Sequence, residues 1–232
     1  MVGALPTYFA DAAEVTPLLA AIRMRRSLTP ALRVMVVLCT LGIAQELANG
    51  WLGSRHMHNV WLNNVLMPVY TGLYLWAFSL WQGGPVSRLA MRIAIPLFIL
   101  VWFILTAFVD GITHFSRFAG PIQSLLMVSV AAYTLISVSA RSADAVWRHD
   151  WFWISAGVLL TFGTSTVFQP IVGRLATAHP ATAMSVIGTW DVIDGVASLL
   201  IMGGILCARW HPISGGSSWP RPSWRASSPS RS

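Results

Sequence analysis

The side chains best suited to binding chemistry occur in pairs that are three residues apart. Three such pairs occur in the chain: Asp11 with Glu14, Glu46 with Asn49, and Asp191 with Asp194. Residues three apart share one face of a helix, so each pair could direct a polar face toward a common space. Clustered carboxylates there could bind a cation, carry protons or hold a small polar ligand.

The chain contains few other charged residues, and its composition indicates which kind of structure must position the three pairs. Only 10% of the 232 residues are charged, 55% are hydrophobic, and the mean hydropathy is +0.64. Soluble domains carry about 25% charged residues, so the composition excludes a soluble enzyme, a disordered protein and a nucleic-acid-binding module. We therefore predict an all-α, polytopic membrane protein in which the lipid bilayer is the first partner.

The hydrophobic runs predict a single bundle over residues 1–210. Six runs are long enough, or nearly so, to cross the hydrocarbon core as helices: Leu32 to Asn49, Val60 to Trp81, Ile93 to Val109, Gly120 to Ser139, Trp151 to Val172, and Val186 to Ala208. A weaker seventh run, Leu5 to Ile22, contains Asp11, Glu14 and Pro17. It is either a true span or an interfacial amphipathic helix, so we expect seven transmembrane helices, with six as the alternative.

The distribution of basic residues predicts the orientation. All 15 basic residues are arginines; 12 lie in connections or tails on one side of the predicted bundle, and three lie on the other. Because cytoplasmic loops are enriched in arginine, the C-terminus is predicted inside and the N-terminus outside, as in a multi-pass protein of a bacterial inner membrane. Residues 211–232 are rich in Ser, Pro and Arg and are predicted to be a disordered cytoplasmic tail.

In this orientation six of the eight acidic residues map to the outer half of the bundle. The predicted ligand-binding residues are Asp11, Glu14, Glu46, Asn49, Asn63, Asp110, Asp191 and Asp194. Tyr70 and Tyr74 share a helix face with Asn63 and would extend the cluster deeper. Counter-charges above it could come from Arg55, His56, His58, His114 and Arg174.

The two remaining acids, Asp144 and Asp150, lie near Arg141 and Arg148 in a predicted cytoplasmic loop. Solvated ion pairs are the expected arrangement there.

One short stretch is similar to a known family. Residues 190–195, Trp-Asp-Val-Ile-Asp-Gly, resemble the last helix of the microbial rhodopsins, in which an aspartate precedes the retinal lysine by four residues. If Asp191 matches that aspartate, Gly195 stands at the position of the lysine, and the chain contains no lysine at all. A Schiff base with retinal therefore cannot form, and we do not assign the chain to that family.

Three functions fit these patterns. The first is a sensor or receptor-like protein whose outward pocket binds a small polar or cationic ligand and which signals through a membrane or cytoplasmic partner. The second is a small carrier for a cation or proton, and the third is a structural or assembly subunit of a membrane complex. An enzyme is disfavoured because no phosphate loop, nucleophile elbow or zinc-protease pair occurs in the sequence. No catalytic residue, metal ligand or cofactor is assigned.

Overall fold

A computed structural model describes residues 4–113, 116–142, 145–178 and 180–208. The side chains of residues 4–7, 173–178, 180 and 181 are not described. The predictions made for His114, Asp144, the Arg174 side chain and the tail 211–232 lie outside the described residues.

Seven α-helices form the described part of the chain, which contains no β-strand. They are α1 (Ala4–Met24), α2 (Pro30–Ser54), α3 (Val60–Trp81), α4 (Pro85–Leu105), α5 (Ala119–Ser139), α6 (Asp150–Ala178) and α7 (Pro180–Cys207). A π-helical turn, Thr106–Asp110, extends α4 and ends at Gly111, whose φ of 73° is unfavourable for other residues. The all-α prediction is confirmed.

Local sequence explains where two of these helices begin. Thr29 precedes α2, and its Oγ1 accepts a hydrogen bond from the Leu32 backbone N at 3.3 Å. Pro30 and Pro85 occupy the first turns of α2 and α4, where a proline costs no hydrogen bond because the first amides of a helix have no partner within it.

Five helical segments are long and apolar enough to cross a membrane: Pro30–Ser54, Pro85–Asp110, Ala119–Ser139, Asp150–Val172 and Thr182–Cys207. The chain is thus a multi-pass membrane protein by the length and composition of its helices. The sequence analysis counted Val60 to Trp81 among the clear spans, but α3 is not one of the five, and neither is α1. Asn63, Asn64 and Pro68 lower the mean hydropathy of α3, while Asp11 and Glu14 lower that of α1.

The helices pack in a ring in which the first helix, α1, contacts the last helix, α7. α1 lies between α2 and α7; α6 packs against α7 and α5, and α3 contacts α2, α4 and α5. The core is formed by fully buried side chains of five helices: Leu32, Met35, Leu75, Phe78, Met127, Ile154, Val158 and Ile205.

α4 lies outside this ring, against α3 and α5. It contributes only two buried side chains, Met91 and Phe98, whereas Leu97 and Phe103 on the same helix are 58% and 59% exposed. In a membrane protein such a surface faces lipid, where exposed apolar side chains are stable.

A buried polar network joins α3 to α5 at the end of the bundle opposite the acidic pairs. The side chain of Gln82 is 1% exposed; its Nε2 donates to Thr134 Oγ1 at 3.0 Å, and its Oε1 accepts from Ser137 Oγ at 3.2 Å. Both polar atoms of the amide are therefore satisfied, as burial in an apolar surrounding requires.

We expect the double variant Thr134→Val/Ser137→Ala to lower the free energy of unfolding by about 2 kcal/mol, because it leaves the buried Gln82 amide without partners. Unfolding would be followed by circular dichroism in detergent. Adding Gln82→Met removes the unsatisfied amide and should restore most of the loss. A double variant as stable as the parent would show that the network contributes nothing.

Candidate functional site

Five acidic side chains from three helices form one group, near the middle of α1 and α7 and in the second half of α2. This acidic cluster consists of Asp11 and Glu14 of α1, Glu46 of α2, and Asp191 and Asp194 of α7. The packing of α1 between α2 and α7 brings the three helices together.

Glu14 occupies the centre of the acidic cluster. Its carboxylate is close enough to interact electrostatically with those of all four other members. Glu46 also interacts with Asp11 and Asp191. Asp11 and Glu46 are exposed, while Glu14, Asp191 and Asp194 are half-buried. The acidic cluster thus extends from the surface of the bundle into a partly buried zone between helices.

A glycine allows α1 and α7 to approach closely beside the acidic cluster. A Cβ atom added to Gly195 would lie 2.6 Å from Phe9 Cε1 and 3.4 Å from Ala10 Cα. Gly195 follows Asp194, and Ala10 precedes Asp11, so this close contact lies beside the acidic cluster. Gly195 therefore has a packing role between α1 and α7.

Amide side chains border the acidic cluster on α2 and α3. Asn63 Oδ1 accepts hydrogen bonds from Gln45 Nε2 at 2.7 Å and from Asn49 Nδ2 at 3.3 Å. The Asn49 amide also lies beside the Glu46 carboxylate. Asn49 and Asn63 therefore join two helices next to the acids, and Gln45, absent from the predicted set, belongs with them.

Hydroxyl groups lie on the inner side of the acidic cluster. Tyr70 lies on the same face of α3 as Asn63, about two turns further along, and interacts electrostatically with Glu46 and Glu14. Its buried hydroxyl has no hydrogen-bond partner among the described residues. Tyr74 lies deeper and packs edge-on against Phe162, with ring centroids 5.5 Å apart. α3 thus places the hydroxyl group of Tyr70 beside the acidic cluster.

Thr161 of α6 is a neighbour that the sequence analysis missed. Its side chain lies beside the Asp194 carboxylate, whose Oδ1 is buried without a hydrogen-bond partner among the described residues. The sequence analysis gave Thr161 no place in the site, because a helical sequence shows which face a residue occupies and not which helix packs there.

Asp110 has a separate role. Its Oδ2 accepts hydrogen bonds from Ser116 Oγ and from the Phe118 backbone N, both at 3.2 Å. These bonds hold the connection between the π-helical turn and α5. The predicted site residue Asp110 therefore serves local structure at its own position.

Asp150, at the opposite end, does not show the solvated arrangement expected for it. It begins α6, its Oδ1 accepts from the Trp151 backbone N at 2.8 Å, and its Oδ2 accepts from Trp81 Nε1 at 3.4 Å. An acid at the start of a helix also interacts favourably with the helix dipole. The bond to Trp81 ties α6 to the end of α3.

The predicted counter-charges that are described lie on an exposed connection. Arg55, His56 and His58 are all exposed, and the Arg55 guanidinium lies 5.6 Å from the centre of the Trp51 ring. Within the described residues, no group of three or more His, Cys, Asp or Glu side chains is arranged to hold a metal ion.

Comparison of the chain with protein-family models, with curated proteins and with solved structures found no match.

Proposed function

We propose that this multi-pass membrane protein is a receptor or sensor whose acidic cluster binds a small polar or cationic ligand from the outer side. The observation that supports this best is the gathering of five carboxyl groups from α1, α2 and α7 around Glu14. In this proposal all seven helices span the membrane, with the N-terminus outside and the C-terminus in the cytoplasm, in accord with the uneven distribution of arginine.

The energetics of the acidic cluster favour a ligand over a purely structural role. Like charges that lie close together repel, and partial burial makes the repulsion stronger than in water. A bound cation would offset this repulsion, and ionisable groups within membrane helices typically mark binding sites or ion pathways. Asn49 Nδ2 and Asn63 Oδ1 already bond to each other between helices, whereas Asn49 Oδ1 is buried without a partner among the described residues, so this oxygen could hold a cationic ligand together with the carboxylates.

The three helices that supply the acids suggest how binding could reach a signalling partner. α7 packs against both α1 and α6, so a ligand that draws the acids together would alter these helix contacts. A membrane or cytoplasmic partner protein would detect the altered packing at the other end of the bundle.

Binding can be tested on the purified protein in lipid nanodiscs with three defined probes: tetramethylammonium, spermidine and Ca²⁺. We expect at least one of them to raise the melting temperature in a saturable manner. Glu46→Gln and Asp194→Asn should each weaken that probe about tenfold, the effect of losing one charge-assisted contact of about 1.4 kcal/mol. Asp110→Asn is the matched control, because its carboxylate lies outside the acidic cluster, and it should bind as the parent does.

Other results would support the alternative functions. Uptake of the probe into proteoliposomes that is abolished by Glu46→Gln would favour a carrier. No stabilisation by any probe, together with lower stability of both variants, would contradict the receptor proposal and favour a structural or assembly subunit.

A further inference from the structure

A cavity of about 670 Å³, lined by polar and apolar side chains, lies between α4 and α5. It is at the end of the bundle where α4 begins and α5 ends. Its α4 wall includes Gly84, Ser87, Met91 and Ala94; its α5 wall includes Val130 and Tyr133, and Arg141 follows that helix. We call it the α4–α5 groove. It shares no residue with the acidic cluster, which is formed by α1, α2 and α7.

The polarity of the α4–α5 groove changes along its length. Gly84, Ser87 and Arg141 lie at the end of the bundle, whereas Ala94 and Val130 lie deeper. Ala94 is ten residues beyond Gly84, a distance of about 15 Å along a helix. The hydrocarbon core of a bilayer is about 30 Å thick, so the groove extends through about one leaflet.

Positively charged groups lie at the polar end of the groove, where α4 begins. Arg141 is exposed and lines this part of the groove. The first turn of α4 begins at Gly84 and Pro85, and no side chain caps its amides. A helix N-terminus carries a partial positive charge and favours phosphate groups.

The groove opens sideways to the surface that faces lipid. Val86 and Tyr133, which line it, are 79% and 48% exposed. The hydroxyl of Ser129, deeper in the groove, donates to the Leu125 backbone carbonyl at 2.8 Å, so it presents little polarity to an occupant. An elongated molecule with one anionic end and an apolar chain matches both the charge and the length of this surface.

We propose that the α4–α5 groove binds one anionic phospholipid from the leaflet on that side. Its phosphate lies at Arg141 and the first turn of α4, and one acyl chain lies along Met91, Ala94 and Val130. Basic pockets between membrane helices recognise anionic headgroups in this way. The proposal depends only on the membrane location of the chain, so it stands or fails independently of the acidic cluster.

The test compares two lipids with the same acyl chains, one with an anionic headgroup and one with a zwitterionic headgroup. The protein in detergent would be titrated with phosphatidylglycerol or with phosphatidylcholine of the same acyl chains, and bound lipid would be counted by native mass spectrometry. We expect one tightly retained phosphatidylglycerol and at least about fivefold weaker retention of phosphatidylcholine. Inorganic phosphate alone should not compete at equal concentration, because it lacks the acyl chain.

Two variants test the two parts of the groove. Arg141→Gln should reduce the preference for phosphatidylglycerol about fivefold, whereas the matched control Arg148→Gln, an exposed arginine in the same connection, should keep it. Ala94→Phe, which fills the apolar part, should weaken both lipids. Equal retention of the two lipids, equal effects of Arg141→Gln and Arg148→Gln, or competition by inorganic phosphate would each overturn the proposal.

Discussion

The Gly157→Ala variant is expected to lose about 2 kcal/mol of unfolding free energy, the typical cost of overpacking a tightly packed contact. A Cβ atom at this position would lie 2.8 Å from the Ala197 backbone oxygen and 2.9 Å from Ile201 Cγ1. The first of these atoms belongs to the main chain, so a change of side-chain rotamer cannot relieve the overlap. α6 and α7 would have to separate.

Close approach matters especially for these two helices. In a bilayer, lipid is as apolar as the helix surfaces, so helix association depends on van der Waals packing between small residues. Gly204 of α7 repeats the pattern, since a Cβ there would lie 2.6 Å from Ile154 Cγ1 and 3.0 Å from the Asp150 backbone oxygen. Separation of α6 from α7 would disturb both contacts and also the contact between Asp194 and Thr161.

Gly163 is the matched control for this prediction. It lies in the same helix, and a Cβ atom there would have no neighbour within 4 Å. Gly163→Ala should therefore raise stability by up to about 1 kcal/mol, because alanine favours helix more than glycine does. Thermal unfolding of both variants in the same detergent gives the comparison. Equal effects of the two substitutions would show that Gly157 is not a close-packing position.

The second prediction concerns Glu14, whose replacement should change ligand-free stability and ligand binding in opposite directions. Glu14→Gln is expected to raise the ligand-free free energy of unfolding by about 1 kcal/mol, because it removes a half-buried charge that is costly to desolvate and is also repelled by four other carboxylates. It is also expected to reduce the affinity for a cationic probe at least about tenfold. The measurements are melting temperatures with and without spermidine.

This pair of opposite changes separates a ligand site from a structural cluster. If the acids served mainly to join helices, Glu14→Gln would lower the ligand-free stability. Asp110→Ala provides the comparison within the same protein, because it removes the acceptor for Ser116 Oγ and the Phe118 N. That variant should be less stable and should retain the affinity for the probe. A Glu14→Gln variant that is less stable and binds normally would contradict the proposed function.

The composition and hydrophobic runs were sufficient to predict the membrane class and the helical elements. Residues 32–49 are predicted as a helix and lie within α2, and Thr29 and Pro30 explain its start. Val60 to Trp81 is one helix, as predicted, but its asparagines and proline leave it outside the five segments that are long and apolar enough to cross a membrane. Length and hydropathy are local properties, so a sequence can reveal them.

The spacing of the acids predicted their helix faces but not their partners. Asp11 with Glu14 and Asp191 with Asp194 do lie in one group, because α1 packs directly against α7. Asp110 maps to the same end of the bundle, yet it contributes to a loop instead. The position of Asp110 in the sequence does not show whether its side chain joins the acidic cluster or bonds within a loop.

The sequence by itself determined the all-α membrane class, most of the segments able to span a bilayer and the half of the bundle in which most acids lie. These features depend on hydropathy and on the 3.6-residue repeat, which are properties of single helices. Only the tertiary structure decided which helices are neighbours, that Thr161 reaches Asp194, and that an amphipathic groove forms between α4 and α5. Those features depend on the order in which helices pack, and that order is set by contacts such as Gly157 with Ala197 between residues distant in sequence.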